Sequence, residues 1–90
     1  MLEVKFKITS EFGLHARIST KLVNIANQFN SNIHIESKKV NVNLKSIMGV
    51  MSLGVTSGDT ITITIDGEDE KDALNQIALF IVGEKVGKEM

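Results

Sequence analysis

The chain opens on an alternation. Leu2, Val4, Phe6 and Ile8 are apolar, and Glu3, Lys5 and Lys7 between them are charged. A period of two predicts a strand with one face in a core. The period changes after a loop from Glu11 to Leu14, in which Gly13 permits a turn that a side chain would oppose. From about Ala16 to Phe29, the residues Ile18, Leu22, Ile25, Ala26 and Phe29 recur at helical spacing, and Asn30-Ser31-Asn32 ends the pattern. Ile33 and Ile35 alternate with His34 and Glu36, and Val40, Val42 and Leu44 alternate with Asn41 and Asn43. With Ser37-Lys38-Lys39 between them, these two runs predict a hairpin. Ser46 reads as the cap of a short helix over Ile47 to Leu53, and Gly54 and Gly58 bracket the way out of it. Ile61, Ile63 and Ile65 give one face of a strand from Thr60 to Ile65, closed by Asp66-Gly67. Asp69 is expected to cap a last helix, with Asp72 as capping-box partner and Ala73, Leu74, Ile77, Ala78 and Ile81 as its apolar face. Gly83 to Met90 reads as a loosened terminus.

The order is strand, helix, two strands, short helix, strand, long helix. An antiparallel sheet with helices on one face satisfies it, an α+β arrangement whose other face offers Lys, Glu, Asn and Thr to water. Several ferredoxin-like domains share this order, so fold alone leaves function open. Ninety residues make one domain, residues 1–90. With no Cys, neither a disulfide nor a thiolate metal site can staple it, and a 42% hydrophobic content must supply the core. A net charge of -1 argues against direct nucleic-acid binding and against an anionic-membrane partner. No signal peptide is expected, since Glu3, Lys5 and Lys7 interrupt the N-terminal apolar residues, and no apolar stretch reaches membrane-spanning length. A cytoplasmic location is therefore expected.

Gly13-Leu14-His15-Ala16-Arg17 places a histidine where a helix begins. Imidazole can take a phosphoryl group on nitrogen, free amides at a helix start can hold the resulting anion, and the Arg17 guanidinium can neutralise it. Taken alone, none of these residues outweighs the plainer reading, His15 as a surface histidine in a cap position and Arg17 as a solvated helix residue. Lys21, one turn after Arg17, keeps the same edge basic. Ser19 and Thr20 offer hydroxyls that early in a helix often satisfy only backbone. Ile47, Met48 and Met51 are either an exposed docking patch, to which methionine is suited, or ordinary core; Val50 and Leu53 are the better core candidates. His34 shares a strand face with Glu36 and reads as solvated. No third ligand stands at metal-site spacing, so no metal is expected. The stacking aromatics of an RNA-binding sheet and a phosphate-cradling Gly-rich loop are both missing, which removes those two function classes.

Residues 2 to 82 resemble HPr, the histidine-containing phosphocarrier family of the bacterial phosphoenolpyruvate-dependent sugar phosphotransferase system. The motif around His15 and the longer run Lys45-Ser46-Ile47-Met48-Gly49-Val50-Met51-Ser52-Leu53-Gly54 carry the resemblance. It implies an open-faced sandwich of four antiparallel strands with three helices, two long and one short, on one side. It implies a carrier rather than an enzyme, with no cofactor. His15, assisted by Arg17, would receive phosphoryl from phospho-enzyme I and pass it to sugar-specific A domains of permeases. The second motif is similar to the low-GC Gram-positive type, in which Ser46 is phosphorylated by HPr kinase/phosphorylase and the product binds the catabolite control repressor. Docking would fall on Thr20, Lys21, Lys45, Ile47, Met48 and Met51, and a monomer is expected. One departure stands out: Ile18 occupies a position where the family nearly always has proline, and Ser19 one where alanine is common. Isoleucine restores an N–H and is expected to put a branched side chain beside the partner-facing edge. A non-catalytic regulatory module with weakened transfer is the alternative that Ile18 raises.

Overall fold

The computed structural model describes residues 1–90. In chain order the elements are β1 (Leu2–Ile8), α1 (Ala16–Ala26), β2 (Asn32–Ser37), β3 (Val40–Asn43), α2 (Ile47–Ser52), β4 (Thr60–Asp66), α3 (Glu70–Gly83) and β5 (Gly87–Glu89). The strands form one antiparallel sheet in the order β3-β2-β4-β1-β5. The alternation of β1 and β4 sets the register. Val4 pairs with Ile63 and Phe6 with Ile61, so both strands turn the same face inward. Ile33 and Ile35 of β2 extend that face against Ile65 and Ile63. Leu22 and Ala26 of α1 and Ala73, Ile77 and Ile81 of α3 close over it, all fully buried. Each large aliphatic side chain removed from water there contributes about 2 kcal/mol. Glu3, Lys5, Lys7, His34 and Glu36 line the opposite, open face and are exposed.

Three expectations are corrected. The sheet has five strands, not four, and the terminus is not loose. After α3 the chain reverses at Lys85 (φ 58), and the Lys85 and Val86 amides bond back to Val82 and Ile81. This is the geometry of a helix closed by a left-handed residue. Val86 is buried, and β5 then pairs with β1. Gly87 lies so close to β1 that a Cβ would stand 2.7 Å from the Lys7 carbonyl oxygen. Second, Asp69 does not cap α3 through its side chain. Its carboxylate accepts from the Asn30 and Ser31 amides and from the Ser31 hydroxyl, tying the end of the α1–β2 connection to the start of α3. The Gly67 amide is taken instead by Glu70. Third, α1 stops at Ala26. The Asn27 side chain donates to Val23 O, and Gln28 and Phe29 continue in tighter turns, with Phe29 still packed against the core. At the β3 edge, Val40 is exposed while Leu44, just past the strand, is buried.

Candidate functional site

The loop that carries His15 is shaped by one glycine. Gly13 has φ +62, and its α-carbon lies against the Val55–Thr56 backbone; a Cβ there would meet Val55 O and come within 2.8 Å of Thr56 Cα. That close approach lets the Leu14 amide donate to Val55 O (3.2 Å), while the Gly13 amide closes a turn onto Ser10 O. Further back, the Thr9 and Ser10 amides both bond to Val86 O. The loop is thus held by the α3–β5 connection on one side and by the α2–β4 connection on the other.

His15 is the N-cap of α1, with φ -69 and ψ 171. Its ring makes no capping hydrogen bond, and it is half-buried. The Ala16, Arg17 and Ile18 amides, the first three of the helix, have no partner in the fold. An uncapped helix start of this kind favours an anion. The Phe12 ring, 72% exposed, stands edge-on to the imidazole at 6.5 Å and 81°. Arg17 and Lys21 are exposed and form no ion pair. Thr20 is exposed too, but its hydroxyl already donates to Ala16 O.

Ile18 sits where the helical period put it, not where the resemblance suggested: its side chain is buried with the core rather than facing a partner. What it adds at the surface is its free N–H.

Ser46 behaves as expected of a cap. Its Oγ accepts from the Gly49 amide at 3.1 Å. Val50 and Leu53 are buried, and Ile47 (43%), Met48 (84%) and Met51 (41%) are exposed. Lys45 is more constrained than the sequence implied. Its ammonium donates to Phe29 O at 2.7 Å, and its own carbonyl accepts from Asn27. These bonds fasten Ser46 beside the C-terminal end of α1. His15 stands at the other end, and 11 helical residues separate the ends by about 16 Å.

The sequence placed His15, Arg17 and Ser46 correctly on their elements. It gave no sign of the Phe12–His15 contact, the Lys45–Phe29 bond or the role of Val55. All three depend on chain segments that meet only in the fold. Gly13 was the one local signal of a close backbone approach.

A family model described as the PTS HPr component phosphorylation site matches residues 2–82. Among solved structures, the chain is similar to the histidine-containing phosphocarrier protein of Mycoplasma, at 36% identity and TM-score 0.92 over 96% of this chain and 98% of that one. It is similar to HPr from Thermoanaerobacter tengcongensis, at 39% identity and TM-score 0.87 over the whole of both chains. It is also similar to Crh, the Bacillus subtilis catabolite repression containing protein, solved as a dimer with a swapped domain, at 41% identity and TM-score 0.72 over 83% of this chain and 86% of that one.

Proposed function

The chain belongs to the HPr family of phosphocarriers, and on that premise we propose that His15 is a reversible phosphoryl acceptor in a phosphotransferase relay. One observation carries this reading: the imidazole stands uncapped at a helix start with three free amides and the unpaired Arg17 beside it. The neutral ring attacks through the Nδ1 lone pair. The bond from phosphorus to the donor atom of phospho-enzyme I breaks as the Nδ1–phosphorus bond forms, and the bonding electrons leave with the donor. The amides and the positive end of α1 stabilise the product anion by about 1 kcal/mol, and Arg17 adds charge-assisted hydrogen bonds. In onward transfer to a sugar-specific A domain, the Nδ1–phosphorus bond breaks as the acceptor's bond to phosphorus forms, and its electrons return to the ring. Ile47, Met48 and Met51, with Lys21 and Thr20 at the rim, would form the docking surface. Such partners would place the carrier in the cytoplasm.

Phosphorylation of Ser46 by HPr kinase/phosphorylase would add about -1.5 to -2 of charge beside that patch. The new charge would repel acidic partners and attract a regulator that offers arginines, such as the catabolite control repressor. Incubation with enzyme I and phosphoenolpyruvate should give an acid-labile phosphoprotein that His15→Ala abolishes. An unlabelled wild type sinks the assignment. The likeness to Crh favours one second reading, a regulatory module in which transfer is weak because Ile18 has replaced proline. Ile18→Pro separates the two: a large gain in transfer supports the module, and similar rates support the carrier.

A further inference from the structure

We propose that Ser19 is a positioning residue for His15, an inference that rests on the phosphocarrier reading above. His15 lies between two peptide planes, one carrying the Leu14 carbonyl and the other its own. Both carbonyls are held by Ser19. Its amide donates to His15 O at 2.9 Å, the first bond of the helix, and its hydroxyl donates to Leu14 O, also at 2.9 Å. A serine inside a helix ordinarily bonds back four residues along the same helix. This hydroxyl reaches five residues back, past the first turn, to a carbonyl outside it. Ser19 is fully buried, so the bond is shielded from water. The Leu14 amide is fixed at the same time to Val55 O. The backbone on both sides of the imidazole is therefore held by one residue, on the Leu14 side by its hydroxyl and on the His15 side by its amide, while the ring itself makes no hydrogen bond that would orient it.

The adjacent residue gives the clamp its purpose. Ile18 leaves the first turn of α1 without the fixed φ that a proline would impose there. The hydroxyl of Ser19 supplies the rigidity from the next position. The two devices should therefore substitute for one another.

Ser19→Ala is expected to lower the rate of phosphoryl transfer from phospho-enzyme I at saturation by roughly tenfold, with KM unchanged, because a small misplacement of the reacting atom is costly while the docking surface is untouched. Hydrogen exchange at the Leu14 amide should quicken. Ile18→Pro in the Ser19→Ala background should raise the saturating rate again, whereas Ile18→Pro with Ser19 intact should not raise it, because proline removes one of the three free amides at the helix start. A merely structural serine would lower the melting temperature without this split or this rescue. The inference is overturned if Ser19→Ala transfers at the wild-type rate, if its effect lies in KM, or if the proline fails to rescue. If Ser19→Ala does not fold, Ser19→Cys, a weaker donor of similar size, should show a smaller loss in the same saturating rate; an unchanged rate overturns the inference. Labelled wild type with an unaffected Ser19→Ala removes this inference alone. Unlabelled wild type removes the carrier reading and this inference with it.

Discussion

Gly13→Ala is the sharpest probe of how the fold presents His15. Two effects act at this position. An alanine at φ +62 sits in the left-handed region, which costs about 1 kcal/mol. Its Cβ would also overlap Val55 O and stand 2.8 Å from Thr56 Cα, both backbone atoms that cannot swing aside as a side chain could. Relief requires the loop to lift from the α2–β4 connection, which strains the packing and breaks the Leu14–Val55 hydrogen bond, for about 2 kcal/mol more. Gly54 is the internal control. It has φ +59, but a Cβ there meets nothing within 4 Å. Gly54→Ala should therefore cost only the left-handed term, about 1 kcal/mol. The smaller freedom of alanine in the unfolded chain is common to both variants and cancels.

For a domain of this size, about 1 kcal/mol moves the melting temperature by roughly 4–8 °C. Gly54→Ala should melt roughly 4–8 °C below wild type, and Gly13→Ala roughly 12–24 °C below it. The assay is thermal unfolding followed by circular dichroism, repeated in urea to give the free-energy difference directly. Equal losses in the two variants would refute the claim that close backbone approach, rather than backbone conformation, demands glycine at position 13.

Other outcomes follow from the same geometry. Val86→Ala removes two buried methyl groups beneath β5 and should cost about 2 kcal/mol, read in urea unfolding; a loss near zero would mean that the C-terminal strand does not belong to the core. Met48→Ala should leave stability within about 0.5 kcal/mol of wild type, because the side chain is 84% exposed, yet raise KM for phospho-enzyme I. Asp59, Asp69 and Glu70 are held below the ordinary carboxylate range, chiefly by the Thr56 amide, the Ser31 hydroxyl and the Gly67 amide respectively. Their stabilisation is present above the unfolded-state values near pH 4 and is lost as pH falls through the lower folded values. The melting temperature should accordingly be flat above about pH 5 and drop steeply below about pH 4, with Asp69→Asn flattening part of that drop; a curve level down to pH 2.5 contradicts the assignment.

What was legible in the sequence follows from what each element depends on. β1, β4 and the hairpin announce themselves because one face is buried and the other wet, so period two survives in the residues. α1 and the Ser46 cap are equally local. β5 was not legible. Gly-Lys-Glu has no apolar alternation, and its place in the sheet comes from Val86 and from the reversal at Lys85, a residue type that rarely adopts positive φ. Asp69 misled for a related reason. It has the right chemistry for a cap, but the Ser31 loop, which lies far away in sequence, competes for its carboxylate and wins with three donors. At the site, the positions of His15 and Ser46 are local matters. The inward turn of Ile18 is legible too, in the helical period it shares with Leu22, whereas the binding of Lys45 to Phe29 O depends on tertiary packing.

The separation of His15 and Ser46 along α1 constrains how one could influence the other. Two phosphates of charge about -2 at about 16 Å would repel by about 1 kcal/mol in unscreened water, and ionic screening over about 8 Å removes most of that. Direct repulsion within the chain is therefore too small to switch the histidine off. The cation next to Ser46 is itself engaged, since the Lys45 ammonium is bonded to the carbonyl of Phe29. The effect of such a charge must then be felt by a second molecule that covers both ends of the helix at once. Across an interface that Ile47, Met48 and Met51 would dry, the same charge would face a lower dielectric, and its interaction with a partner's charges would grow severalfold. On the proposed reading, a phosphate on Ser46 would act on which partner can sit down, and the chemistry at His15 would be left as it was.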